Sequence, residues 1–166
     1  MSLHALPDHS RLWLLALEPL PDPATQTRLR RGLEEIVSQW RHKGQAYQGA
    51  GLLLEPQLIA VAEPSLASQP SGCAIDGMLR KVRRLVEDLR LGLTDPAVSV
   101  VVRLGDRLEA IPKAELQARL DDGTLDGSTP VLDLSLYSLE DLRSGRLEAP
   151  LAATWVGRKF KVSEKV

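Results

Sequence analysis

Pro70-Ser71-Gly72-Cys73-Ala74-Ile75-Asp76-Gly77 runs without a break into the stretch Met78 to Leu91, and the rest of the chain is ordered around this junction. Ile75, Met78, Leu79, Val82, Leu85, Val86 and Leu89 recur at steps of three and four, opposite Arg80, Lys81, Arg83, Arg84, Glu87 and Asp88. That is the stripe of an amphipathic helix. Gly92 suits its C′ stop, Ser71 its N-cap, and Asp76 its first turn, where a carboxylate meets the positive end of the helix dipole. The chain's single cysteine thus falls where free backbone N–H groups can stabilise a thiolate.

Upstream, Gly49 to Leu54 and Leu58 to Ala62 flank Glu55-Pro56-Gln57 and predict a hairpin of two strands. Glu63 to Pro70, rich in Ser, Ala and Pro, reads as the loop leading to the cysteine. Leu12 to Leu17 is a short apolar run closed by Glu18-Pro19-Leu20-Pro21, a buried strand stopped by prolines. Asp22-Pro23 then opens a helix expected over 23–41, with Leu29, Leu33, Ile36, Val37 and Trp40 on its apolar face. Downstream, Val98 to Leu104 predicts a fourth strand, Arg107 to Ile111 a short partner for it, and Pro112 to Leu120 a short helix. Val131 to Leu136 alternates as an edge strand, and Ser138-Leu139-Glu140-Asp141 carries a capping signal.

A βαββαβ order within residues 10–105 predicts an α+β, ferredoxin-like antiparallel sheet with two helices on one face. Residues 106–166 are expected to form a C-terminal extension of short helices and strands within the same single domain, 1–166. Counting chain directions brings the end of the first helix and the start of the second to one rim of the sheet. Trp40-Arg41-His42-Lys43-Gly44 is thereby expected near Ser71-Gly72-Cys73, together with His9, Ser10 and Arg11 and with Arg103 to Asp106 after the fourth strand.

Composition narrows the function. At 166 residues the chain is long enough to bury roughly 70% of the surface its unfolded form exposes, without a disulfide or metal. A net charge of −1 argues against a general polyanion binder. One cysteine makes no intrachain disulfide, the first ten residues lack the pattern of a signal peptide, and Leu12 to Leu17 is too short to span a bilayer. The expected address is the cytoplasm, with no membrane partner. Three histidines and one cysteine without paired spacing predict no structural zinc site, and no cofactor is implied. The arginines of the two helices share them with Glu34, Glu35, Glu87 and Asp88, a salt-bridged solvated face, and the third strand lacks the aromatics an RNA-binding sheet stacks on bases. Nucleic acid is not the expected partner.

Two readings of the junction stay open. In the first, Cys73 is a nucleophile or redox thiol, its pKa lowered from about 8.5 by the helix and by His42 or Arg41, with His42 as base. Ser71, Gly72, Asp76 and Arg41 then bind the ligand, and the same amides equally suit capture of a small anion. In the second, Cys73 is a small packing residue, Asp76 a dipole partner and His42 a C-terminal cation, and the protein is a non-catalytic module that dimerises with itself through an open sheet face or edge.

Both corners resemble those of a family of small uncharacterised bacterial proteins, common in Bacteroidetes and often labelled "ABC transporter ATPase". That family is expected to carry a tryptophan and a histidine-glycine pair after the first helix, and a Ser-Gly-Cys-Ser-Ile-Asp-like segment at the second. Here Lys43 separates His42 from Gly44 and Ala74 replaces the usual hydroxyl residue; Trp155 with Arg158 is similar to the family's closing segment. The resemblance implies no established activity. The transporter label fails on chemistry, because a phosphate-binding loop needs G-x-x-x-x-G-K-[ST]. Gly123-Thr124-Leu125-Asp126-Gly127-Ser128-Thr129 has the wrong spacing and no lysine.

Overall fold

The computed structural model describes residues 3–42, 45–46, 49–64 and 72–162, apart from the side chains of 41–42, 45–46 and 72–74. After a 3-10 turn at Leu3–Ala5 come β1 (Arg11–Glu18) and α1 (Pro23–Ser38). Asp22 caps α1, its carboxylate accepting from the Thr25 backbone N–H at 2.7 Å, and that bond draws Asp22 below the ordinary carboxylate range. The helix ends three residues before the expected Arg41. The chain continues into the two-residue pair β2 (Arg41–His42) and β3 (Gln45–Ala46), and then into the expected hairpin of β4 (Ala50–Glu55) and β5 (Leu58–Glu63).

Next, α2 spans Gly72–Asp88, starting at the cysteine segment as its periodicity demanded. Its stop differs. Arg90, not Gly92, takes the left-handed position at φ 60°, with Leu91 N–H donating to the Val86 carbonyl and Arg90 N–H to that of Glu87, a Schellman ending. Gly92 is thereby released to β6 (Gly92–Leu93), which pairs antiparallel with Leu17 and Glu18. The first sheet has the order β4-β5-β1-β6, all neighbours antiparallel.

The Val98 to Leu104 strand is therefore not the fourth strand of that sheet. Two backbone bonds to the Asp95 carbonyl, from Val98 and Ser99, turn the chain away, and β7 (Ser99–Leu104) enters a second sheet. It pairs with β8 (Arg107–Pro112) over the expected turn at Gly105. A 3-10 turn and α3 (Leu116–Asp121) follow, then β9 (Pro130–Leu132), α4 (Leu139–Arg143), β10 (Glu148–Pro150), a 3-10 turn at Leu151–Ala153 and α5 (Trp155–Lys159). The order of this sheet is β10-β9-β7-β8, so the expected edge strand β9 is internal and shorter than its alternation suggested. The capping box of α4 forms as read, Ser138 and Asp141 bonding each other's backbone N–H.

The result is α+β with two four-stranded antiparallel sheets and five α-helices among the described residues. Leu29 and Leu33 of α1 and Met78, Val82 and Val86 of α2 pack on Leu17, Leu53, Ile59 and Val61. Each such buried aliphatic contributes about 2 kcal/mol. The opposite face of the first sheet, Leu12, Leu14, Leu58, Ala60 and Ala62, meets Val101, Leu108 and Leu132 of the second. Beyond, Val100, Val102 and Ile111 lie under Leu116, Leu120 and Val156 of the outer helices. Helices, sheet, sheet and helices thus form four layers, and the C-terminal half supplies part of the central core instead of an appendage.

Polar groups pin the sheets together. Gln57, 3% exposed, donates to the Leu17 and Leu108 carbonyls, both at 2.9 Å, and accepts from Leu108 N–H at 2.7 Å. Arg103 of β7 grips Glu55 of β4 bidentately at 2.8 and 3.0 Å, and its Nε meets Glu148 at 2.7 Å. The bond to Glu55 does most to raise the Arg103 pKa further above its already basic value. No helix among the described residues is long and apolar enough to cross a membrane.

Candidate functional site

Register places the site's frame. Arg11 opens β1 opposite Glu63, the last residue of β5. Trp40 follows α1 at the same rim, and its ring fills the space beside Gly49 where a Cβ would lie 2.2 Å from it. α2 begins there too, since its far end delivers β6 to the opposite end of β1. The end of α1 and the start of α2 thus share a rim in backbone terms, while Lys43, Gly44 and Ser71 lie outside the described residues.

Which side chains meet there is answered for the described residues. Ser10 is fully buried, and its hydroxyl has no hydrogen-bond partner among them; the Arg11 Nε is likewise buried and unbonded. The Arg11 guanidinium lies over Trp13 at 4.9 Å and Tyr137 at 5.3 Å. Leu139 N–H donates to the Ser10 carbonyl at 3.0 Å, and Leu12 N–H to that of Tyr137 at 2.9 Å, so the segment before α4 closes the outer side of the rim. The Glu63 carboxylate is fully buried. Burying a carboxylate forfeits several kcal/mol of hydration that partners must return. The rim is therefore polar inside, not merely a cap on the apolar core.

The expected residues stand as follows. Gly72 and Cys73 form the first turn of α2, and Arg41 and His42 form β2; the side chains of Cys73, Arg41 and His42 lie outside the described residues, as does Ser71 entirely. Asp76 is described. It sits one turn inside α2, since the helix starts at Gly72, and is exposed beside Leu79, Arg80 and Arg83 in a shallow depression on the outer helix face. Its expected place in the first turn is corrected accordingly.

Sequence reasoning missed Glu63, which it assigned to a loop. The signal was present: Glu63 directly continues the buried strand Leu58 to Ala62, and β5 has no solvent-facing side to receive a charge. It also missed a cleft of about 470 Å³ on the second sheet, bordered by Lys113, Trp155 and Arg158. Among the described residues no group of three or more His, Cys, Asp or Glu is placed to hold a metal ion. Comparison with protein-family models, with curated proteins and with solved structures found no match to this chain.

Proposed function

We propose that the rim where α2 begins is a thiol-dependent active site. Cys73 is the nucleophile, His42 accepts its proton, Glu63 orients the imidazole through its second N–H, and Ser10, Arg11, Ser71, Gly72 and Arg41 bind the polar part of the substrate. Asp76, exposed on the outer face of α2 and beyond its first turn, takes no part. The observation that supports this is the burial of Ser10 and Glu63 at the rim from which the cysteine's helix starts. The dimeric-module reading loses its main support: the sheet face expected to be open is covered by the second sheet of the same chain, leaving only strand edges.

The test is alkylation of the full chain by iodoacetamide. Cys73 in the folded protein should react at neutral pH faster than a cysteine peptide, and His42→Ala and Glu63→Gln should each slow it by about tenfold or more. Labelling seen only after unfolding in urea would overturn the proposal.

The first sheet with α1 and α2 is a ferredoxin-like unit in which the two-residue β6 stands fourth, supported by the order β4-β5-β1-β6. We place the protein in the cytoplasm, as a single domain with no nucleic-acid partner, and in the family with the Ser-Gly-Cys-x-Ile-Asp segment.

A further inference from the structure

β9 pairs with β7 at Val102 and Val131 and then leaves the sheet at Asp133. Ser99, Val100 and Val101 therefore border an open cleft, with Asp133 to Ser135 on one side and α5 on the other. Its volume, about 470 Å³, is that of a small-ligand pocket. The charges around it are not balanced. Arg146 is paired with Asp141 at 3.1 Å, which leaves Lys113 and Arg158 against a single lining carboxylate, Asp133, whose oxygen accepts from Ser135 N–H at 2.9 Å. Lys113 and Arg158 have no carboxylate partner among the described residues. Lys113 is nevertheless held in place, its Nζ donating to the Ala97 carbonyl at 3.0 Å and lying 5.4 Å from the centre of the Trp155 ring. Trp155 itself is 38% exposed, and the Lys159 Nζ lies 5.9 Å from the centre of the same ring.

A flat apolar surface flanked by two unpaired cations is complementary to a flat ring carrying an acid group: the ring stacks on the indole and the acid meets the ammonium and guanidinium. We propose that this cleft binds a small planar ligand bearing a carboxylate or phosphate, at a site separate from the rim at α2. Ser99, Val100 and Val101 of β7 line the remaining wall.

Titration calorimetry on the full chain tests this with 2-naphthoate against 2-naphthalenemethanol, and AMP against adenosine. At least one acid should bind roughly tenfold or more tightly than its uncharged counterpart, and which acid does so identifies the head group. Lys113→Met and Arg158→Gln should each weaken that acid by about fivefold or more, while Arg84→Gln on α2 should leave it unchanged. Failure of both acids to bind at millimolar concentration, equal binding of acid and neutral partner, or native affinity in the Lys113 and Arg158 variants would each overturn the proposal.

Discussion

Gln57 is the residue on which the two sheets hinge. All three of its hydrogen bonds are buried, so Gln57→Leu strips partners from the Leu108 N–H and from two carbonyls while adding little apolar contact. The expected cost is about 3 kcal/mol, read as a fall of about 10 °C in the thermal midpoint; an unchanged midpoint would deny the bridge. Gly49 makes a second residue-scale case. A methyl group there would overlap the Trp40 ring and press the Ala62 carbonyl at 3.1 Å. Gly49→Ala should cost about 2 kcal/mol and shift the tryptophan fluorescence, because Trp40 is forced out of its place at the rim. Neither role was legible beforehand. A glutamine after proline reads as turn residue, and Gly49 reads only as the first residue of a strand, until a distant side chain is seen to need the space.

Elements with strong periodicity were legible. α1, α2 and the β4–β5 hairpin follow from stripes and alternation that a single packing partner explains. Two-residue strands carry no such signal, so β6 was passed over, and its place was given to Val98 to Leu104. That run is β-branched on both faces because β7 is buried on both, and such a strand fits either sheet equally well on sequence. The helix stop moved for a similar reason: glycine is the usual C′ residue, but Arg90 accepts the left-handed position and leaves Gly92 to pair with Glu18. Close packing at the last helix gives the prediction at this scale. A Cβ at Gly157 would stand 2.6 Å from the Ala152 carbonyl oxygen and 2.7 Å from its Cα, backbone atoms that have no rotamer to retreat into. Gly157→Ala should cost about 3 kcal/mol in urea unfolding and displace α5, so binding in the cleft beside Trp155 should weaken with it. A stable variant with an intact cleft would refute this packing.

Four layers explain why the molecule keeps a polar rim. Both faces of the first sheet are occupied, one by α1 and α2 and one by the second sheet, which leaves strand ends as the places where chemistry meets solvent. Direction counting foresaw that the start of α2 and the end of α1 share such an end, since it needs only the order of elements. It did not foresee the seal from Tyr137 to Leu139, which depends on a chain path beyond the first sheet, and it passed over Glu63 although that residue directly continues a buried strand. The central claim is that this rim activates the chain's one thiol. Thiolate absorbance near 240 nm, titrated with pH and referenced to Cys73→Ser, measures it directly. The account predicts a midpoint well below the ordinary cysteine value of about 8.5; a midpoint at or above that value would contradict it.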